Sequence, residues 1–218
     1  LEQRFPMPFR DDVVVAAKDI GLDAAYVYGL IRQESRFIMD ARSHVGASGL
    51  MQIMPATARW TAKKIGLPFT QDMITDRHVN LRLGTNYLKL VLDDFGGSQA
   101  MAAAAYNAGP NRPRRWREGA ELEPAIWAEN IPFAETRDYV KKVLSNATVY
   151  AAMLAGQRQP AKPPPPAPPP PASTASAASG SASAASQPVA APPPPPPPTL
   201  TLPSIRARLG ALIGPPDA

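Results

Sequence analysis

The stretch YGLIRQESRF, residues 28–37, runs an apolar stripe at helical spacing straight into a carboxylate. Val27, Leu30 and Ile31 stand at i, i+3 and i+4, and Glu34 takes the i+7 place on the same face. This spacing predicts a helix over residues 23–36, with Asp23 as its N-cap. An ionised carboxylate on a buried side loses hydration unless it finds a partner. Three readings are open at this point. Glu34 marks the end of the helix, pairs with an arginine, or serves a function.

The flanking sequence extends the helical pattern. A second helix is expected to begin at Pro55, a comfortable first helical residue, and to stop at Gly66. Leu81, Gly84, Leu88, Val91, Leu92 and Phe95 keep helical spacing up to Gly96-Gly97. Ser98 is placed to cap the next helix, whose run AMAAAAY is narrow enough for close packing. Val140, Val143, Leu144, Ala147, Ala151 and Leu154 mark a long final helix. No stretch reads as a strand and no internal repeat is found, so the expected class is all-α.

Composition changes sharply near Gly156. Beyond it come PPPPAPPPP, an Ala/Ser-rich run and a proline block at 192–198. Polyproline favours extended backbone, and the Ala/Ser run has too little apolar area to offset chain ordering. Residues 157–198 therefore read as a disordered linker that tethers or binds a partner. Residues 199–218 read as a short tail, either a frayed end or one or two amphipathic turns with Leu202, Ile205, Leu209 and Leu212 on one side.

The chain has 218 residues and 44% hydrophobic composition, enough for one domain plus extra segments. With no cysteine, disulfides and thiolate metal sites are excluded, and two histidines argue against a His-rich metal site. The formal charge of +5 favours anionic polymers without saying which. No run approaches the ~20 apolar residues that a membrane-spanning helix needs. No signal peptide is seen at the start, and a chain opening on Leu1 reads as a piece of a longer precursor.

Two further segments are oddly built for packing alone. In GASGLMQIMP, residues 46–55, Gly46 and Gly49 free the backbone, so the loop can approach a ligand and present Gln52 and Met54. Equally, it can be a connection whose Leu50, Met51 and Ile53 plug the core. In AYNAGPNR, residues 105–112, an alanine helix meets a stop signal, and Tyr106 either caps the core or places its hydroxyl in a groove.

Together, IRQESRF, GASGLMQIMPATA, AYNAGP and ENIPFAETRDYVKKVL occur in an order and at separations that closely resemble the family-1 catalytic domain of the soluble lytic transglycosylases. These enzymes cut the glycan strands of peptidoglycan. The resemblance covers roughly residues 5–155, and RFPMPFRDDV looks like the usual start of that domain. It implies an all-α, lysozyme-like (goose-type) catalytic domain within residues 1–156, with a core of about 11–155. A long helical superhelix usually precedes the domain in this family.

Carried over residue by residue, the resemblance makes Glu34 the single catalytic acid/base. Ser43, Gln52 and Met54 fall on positions that line the sugar groove. Tyr106 and Asn107 match the groove motif, and Glu135 and Tyr139 match the last one. Asn111 stands where the family commonly has glycine, and its tolerance of left-handed backbone should preserve the turn. The resemblance implies a monomer acting on glycan strands in the periplasm or cell envelope of a Gram-negative bacterium, with no cofactor, metal or nucleic-acid partner.

Most glycosidases use two carboxylates, yet only Glu34 stands out in a motif, and Asp40 reads as a surface loop residue. The substrate's own 2-acetamido group can supply the missing function. Two rivals remain open: a lysozyme-like hydrolase, and a non-catalytic glycan-binding or scaffold module. Trp60 and Trp127 are expected to pack in the core. The arginines around Trp116 in RPRRWR could form a nucleic-acid patch, but fit better as a solvated surface that tolerates an anionic wall.

Overall fold

The YGLIRQESRF stretch does form a helix, in a computed structural model that describes residues 3–156 and 208–215. Eight α-helices occur among those residues: α1 (Arg10–Lys18), α2 (Ala24–Glu34), α3 (Pro55–Ile65), α4 (Arg77–Asp94), α5 (Gln99–Ala108), α6 (Asn111–Trp116), α7 (Pro124–Glu129) and α8 (Ala134–Gly156). A 3-10 turn, Gln71–Thr75, leads into α4. The expected all-α class holds: the only β pairing among the described residues is isolated bridges. None of these helices is long and apolar enough to cross a membrane.

The start and stop signals act largely as read. Asp23 Oδ1 accepts the Ala25 amide at 2.9 Å, and Ser98 Oγ accepts that of Met101 at 3.4 Å. Pro55 opens α3, and Gly66 closes it with φ of 66°. Helix α2, however, ends at Glu34 rather than at residue 36. Arg36 and Phe37 adopt φ of 52° and 71°, which no right-handed helix accommodates. Helices α1, α6 and α7 were not anticipated, since two are only six residues long and none carries a long apolar period.

The core is built on the pairing of α2 with α8, the most extensive helix contact. Tyr26, Val27, Tyr28, Leu30 and Ile31 of α2 are fully buried, as are Val140, Val143, Ala147 and Tyr150 of α8. Gly29 makes the approach possible. A Cβ there would lie 2.6 Å from the Val143 carbonyl oxygen and 2.8 Å from the Ala147 nitrogen, both backbone atoms that cannot swing aside. The alanine-rich α5 packs on α8 with Ala102 to Ala105 fully buried. A second, smaller cluster of Ile53, Ala58, Ala62, Ile74 and Leu83 lies beneath α3 and α4, and Tyr87 packs against both clusters.

Residues 6–8 and 208–213 are tied to this core. Tyr28 and Tyr150 stack at 5.0 Å, and their hydroxyls donate to the Pro8 and Pro6 carbonyls. Residues 208–215 do not behave as a frayed end. Leu209 and Ile213 are buried, and Ile213 exchanges two 2.8 Å backbone hydrogen bonds with Leu122. Arg208 also pairs with Asp23. Leu212, expected to share the face of Leu209, is instead exposed, because the backbone turns at Gly210 with φ of 80°. The linker reading of residues 157–198 and the Leu202 and Ile205 positions lie outside the described residues.

The tryptophans divide. Trp127 is buried as expected, its indole donating to the Trp116 carbonyl at 3.2 Å. Trp60 is 47% exposed, contrary to expectation, because α3 turns only Ala58, Thr61 and Ala62 inward. Asn111 keeps its turn by a route other than left-handed backbone. It begins α6, while Gly109 takes the positive φ of 81°. The arginines that follow are engaged locally: Arg114 pairs with Asp94, and Arg112 donates to the Ala108 carbonyl at 2.8 Å.

Gly29→Ala is expected to force α2 and α8 apart. It should cost about 2 kcal/mol and lower the thermal unfolding midpoint by roughly 4–8 °C, as read by scanning calorimetry.

Candidate active site

Glu34 is the last residue of α2, where the apolar stripe has just left Ile31 fully buried. Ser35 terminates the helix. Its amide donates to the Ile31 carbonyl at 3.0 Å, and its hydroxyl accepts the Phe37 amide at 3.1 Å. The chain then leaves through the two positive-φ residues Arg36 and Phe37. Such backbone costs about 1–3 kcal/mol per residue and persists only where packing over-determines it. Here it turns the chain away sharply and leaves the Glu34 carboxyl at the end of the apolar seam.

The carboxyl's neighbour comes from α8. Tyr139 is 6% exposed, and its hydroxyl donates to Glu34 Oε1 at 2.5 Å. Burial pushes the Glu34 pKa up to about 7, against a smaller opposing effect of the Tyr139 hydrogen bond, which favours the carboxylate. Burial, and then the Glu34 charge, hold the Tyr139 hydroxyl well above the usual tyrosine range. Tyr139 therefore remains a donor. When Glu34 is protonated, Oε1 is occupied as an acceptor, and the acid proton belongs on Oε2.

Tyr106, at the end of α5, approaches from another side. Its hydroxyl donates to the Met51 carbonyl at 2.8 Å, and the Glu34 charge contributes to raising its pKa after the larger effect of burial. Tyr106 thus packs against the core, as one reading of the sequence has it, with its hydroxyl bonded to backbone. It braces the loop that follows α2 while its ring remains partly exposed.

That loop is held from beneath by Asn80 of α4, a fully buried residue that the sequence did not single out. Its Oδ1 accepts the Met51 amide at 2.8 Å, while its Nδ2 donates to Ser48 and Ile74 carbonyls at 2.9 and 2.7 Å. Gly49 and Gly84 make room, since a Cβ at either would collide with Asn80 or Met51 respectively. Leu50, Met51 and Ile53 do plug the core. Between and beyond these anchored residues, Gln52 is half-buried and Met54 is exposed.

The other candidate residues occupy distinct places. Gln52 adopts φ of 45° and donates through Nε2 to the Ala41 and Gly49 carbonyls at 2.9 and 2.8 Å. Ser43 Oγ accepts the Ala47 amide at 3.0 Å. Both brace the loop through these atoms. Met54 is 40% exposed. Asn107 Oδ1 accepts the Thr136 hydroxyl at 2.8 Å, joining α5 to the start of α8. Glu135, exposed, sits one helical turn before Tyr139 on α8. Among the hydrogen bonds of the described residues, none joins Ser43, Asn107 or Glu135 to Glu34.

Asp40 is exposed in the loop, as expected. Among the described residues no group of His, Asp and Glu side chains could hold a metal ion. A cavity of about 670 Å³ between α1 and α4 involves none of the residues around Glu34.

Comparison with known proteins places these features in a family. The family model described as Transglycosylase SLT domain matches residues 13–126, and that described as Soluble lytic transglycosylase helical domain matches residues 130–159. The chain is 38% identical over 163 residues to a soluble lytic murein transglycosylase of Salmonella typhimurium, covering 73% of this chain and 25% of that one. It is 39% identical over 154 residues to the protein of that name from Escherichia coli, covering 69% and 24%. The chain thus spans about a quarter of the length of the curated relatives it matches. Among solved structures, it is similar to an inactive mutant of lytic transglycosylase Slt from Pseudomonas aeruginosa, with 46% identity and a TM-score of 0.69 over 71% of this chain and 26% of that one. It is also similar to a 70-kDa soluble lytic transglycosylase in complex with bulgecin A, with 37% identity and a TM-score of 0.65 over 71% and 26%.

A raised Glu34 pKa has a stability consequence with a defined sign. Between about pH 4.5 and 7 the folded chain holds more protons than the unfolded chain, so stability falls as pH rises across that window. Glu34→Gln is expected to match the parent chain in stability near pH 4 and to exceed it by up to about 3 kcal/mol near pH 8, as measured by urea unfolding at the two pH values.

Proposed function

This chain belongs to the Transglycosylase SLT domain family, and from that premise we propose that it is a peptidoglycan lytic transglycosylase with Glu34 as its single acid/base. The bond cut is the β-1,4 link between N-acetylmuramic acid and N-acetylglucosamine. The observation that carries the proposal is the Glu34 carboxyl at the end of the α2 apolar seam, one oxygen bonded by Tyr139 at 2.5 Å, where burial pushes its pKa up to about 7. Such a group holds a proton to give and, once it has given it, is a competent base.

The steps balance without water. The Glu34 Oε2 proton passes to the glycosidic oxygen as the bond from that oxygen to muramic C1 breaks. The N-acetylglucosamine portion departs with a hydroxyl group. Positive charge at C1 is supported by the substrate's own 2-acetamido carbonyl, which takes the place of a second carboxylate. Glu34, now ionised, is held by the Tyr139 hydrogen bond and removes the proton from the muramic C6 hydroxyl. C6 oxygen closes on C1, giving a 1,6-anhydro ring and a reprotonated Glu34.

The remaining residues bind and orient. The partly exposed ring of Tyr106 offers a face to the sugar beside the cationic centre. Ser43 and Gln52, already fixed by the loop, direct the hydroxyl proton and Oε1 toward acetamido groups. Met54 supplies apolar contact, and Asn107 and Glu135 flank the site from α5 and α8. The names of the similar proteins from Salmonella typhimurium and Escherichia coli support murein as the substrate, and the place of action we propose is the periplasm or cell envelope of a Gram-negative bacterium. The chain acts there as a monomer.

Mass spectrometry of digested cell wall tests the reaction. Anhydro ends are expected, whereas reducing ends heavier by one water would identify a hydrolase. Glu34→Gln should lower turnover by about 10²–10⁴-fold with its circular dichroism unchanged.

The pH profile tests the acid. kcat/KM should fall as pH rises through about 7, where Glu34 loses its proton. Tyr139→Phe removes a bond that favours the ionised form, so it should move this limb to higher pH.

A further inference from the structure

Trp60 is a large apolar side chain left exposed on α3, while Ala58 and Ala62 of the same helix are buried. At 47% exposure its indole is bare, but it is not loosely placed. Tyr87 of α4 meets it edge-on, with ring centres 6.3 Å apart and planes at 90°. Tyr87 in turn meets Tyr106, with ring centres 5.4 Å apart. Three rings thus run continuously from the surface of α3 to the tyrosine that braces the loop beside Glu34. An edge-on partner fixes the indole's orientation without covering its faces.

The charged side chains of α3 itself have one sign. Lys64 reaches over the ring to 5.7 Å from its centre, and Arg59 and Lys63 lie on the same helix. Helix α3 carries no carboxylate. Scattered exposed apolar side chains need no explanation by themselves. An indole held by a ring ladder that ends at the catalytic centre, on a helix of cations, is a different situation.

We propose that Trp60 is a stacking platform that extends the glycan-binding surface beyond the reacting sugars, with Lys64 receiving a carboxylate of the attached stem peptide. The inference rests on the transglycosylase reading, since it is that reading which supplies the occupant. A glycan strand fits for three reasons. Its pyranose rings present flat C–H faces to an indole. Two ring contacts, of 6.3 and 5.4 Å, link it to Tyr106, so a strand seated beside Tyr106 has the platform within a short reach. Its stem peptides carry the negative charge that α3 complements.

The test measures cleavage and binding separately, using the whole chain. On long peptide-bearing strands Trp60→Ala should raise KM about fivefold, with the loss growing as strands lengthen, and Trp60→Phe should recover most of it. In a Glu34→Gln background, strand binding should change the tryptophan fluorescence, and Trp60→Phe should remove most of that change. Lys64→Gln should weaken binding to peptide-bearing strands more than to strands stripped of peptide. Trp60→Ala with an unaltered KM on long strands, or a fluorescence response that survives Trp60→Phe, would overturn the platform. A parent chain that binds strands through Trp60 but releases no anhydro ends would overturn the reaction and leave the platform standing.

Discussion

The hydrogen bond from Tyr139 to Glu34 joins the end of one core helix to the face of another, and the site is organised around it. It spans 105 residues of sequence and forms only because α2 and α8 lie close enough for one side chain to reach the other. Gly29 permits that approach at backbone distance. The same packing that stabilises the domain therefore also dries the carboxyl. Burial raises its pKa, and the tyrosine limits the rise while deciding which oxygen is left for the proton.

Around this pair the chain uses buried polar groups to hold exposed ones. Asn80 carries no chemistry, yet two of its three hydrogen bonds set the backbone of the 46–54 loop and the third ties it to Ile74. A buried amide left with broken bonds would cost about 1–3 kcal/mol per unsatisfied group, so the loop has little freedom to relax. Gln52 and Ser43 add bonds from the loop's own side chains, and Tyr106 adds one from α5. The backbone strain at Arg36, Phe37 and Gln52 gathers in the segment that follows the acid. Rigidity at that place suits the proposed mechanism, in which one carboxyl acts twice with little change of position.

Much of this was legible in the sequence, for reasons that differ from element to element. The apolar stripe of α2, the capping by Asp23 and Ser98, and the stops at Gly66 and Gly96 are local, and local signals survive folding. Glu34 announced itself because a carboxylate on an apolar face is costly. Less legible were features that exist only once distant segments meet. Asn80 lies in an ordinary helical pattern, and its value comes from carbonyls and an amide far from it in sequence. Trp60 was expected inside on the strength of residue type, but α3 is only 11 residues long and offers its inward face to Ala58, Thr61 and Ala62. The close of the chain is similar. Ile213 is buried by pairing with Leu122, a partner that no periodicity reveals.

The account stands on the protonation of one carboxyl, which can be observed directly. Titration of Glu34 in the folded chain, by carbon NMR of a labelled side chain or by infrared difference spectroscopy against Glu34→Gln, should give a midpoint near 7. A midpoint near 4.5, the value of a solvated glutamate, would contradict it.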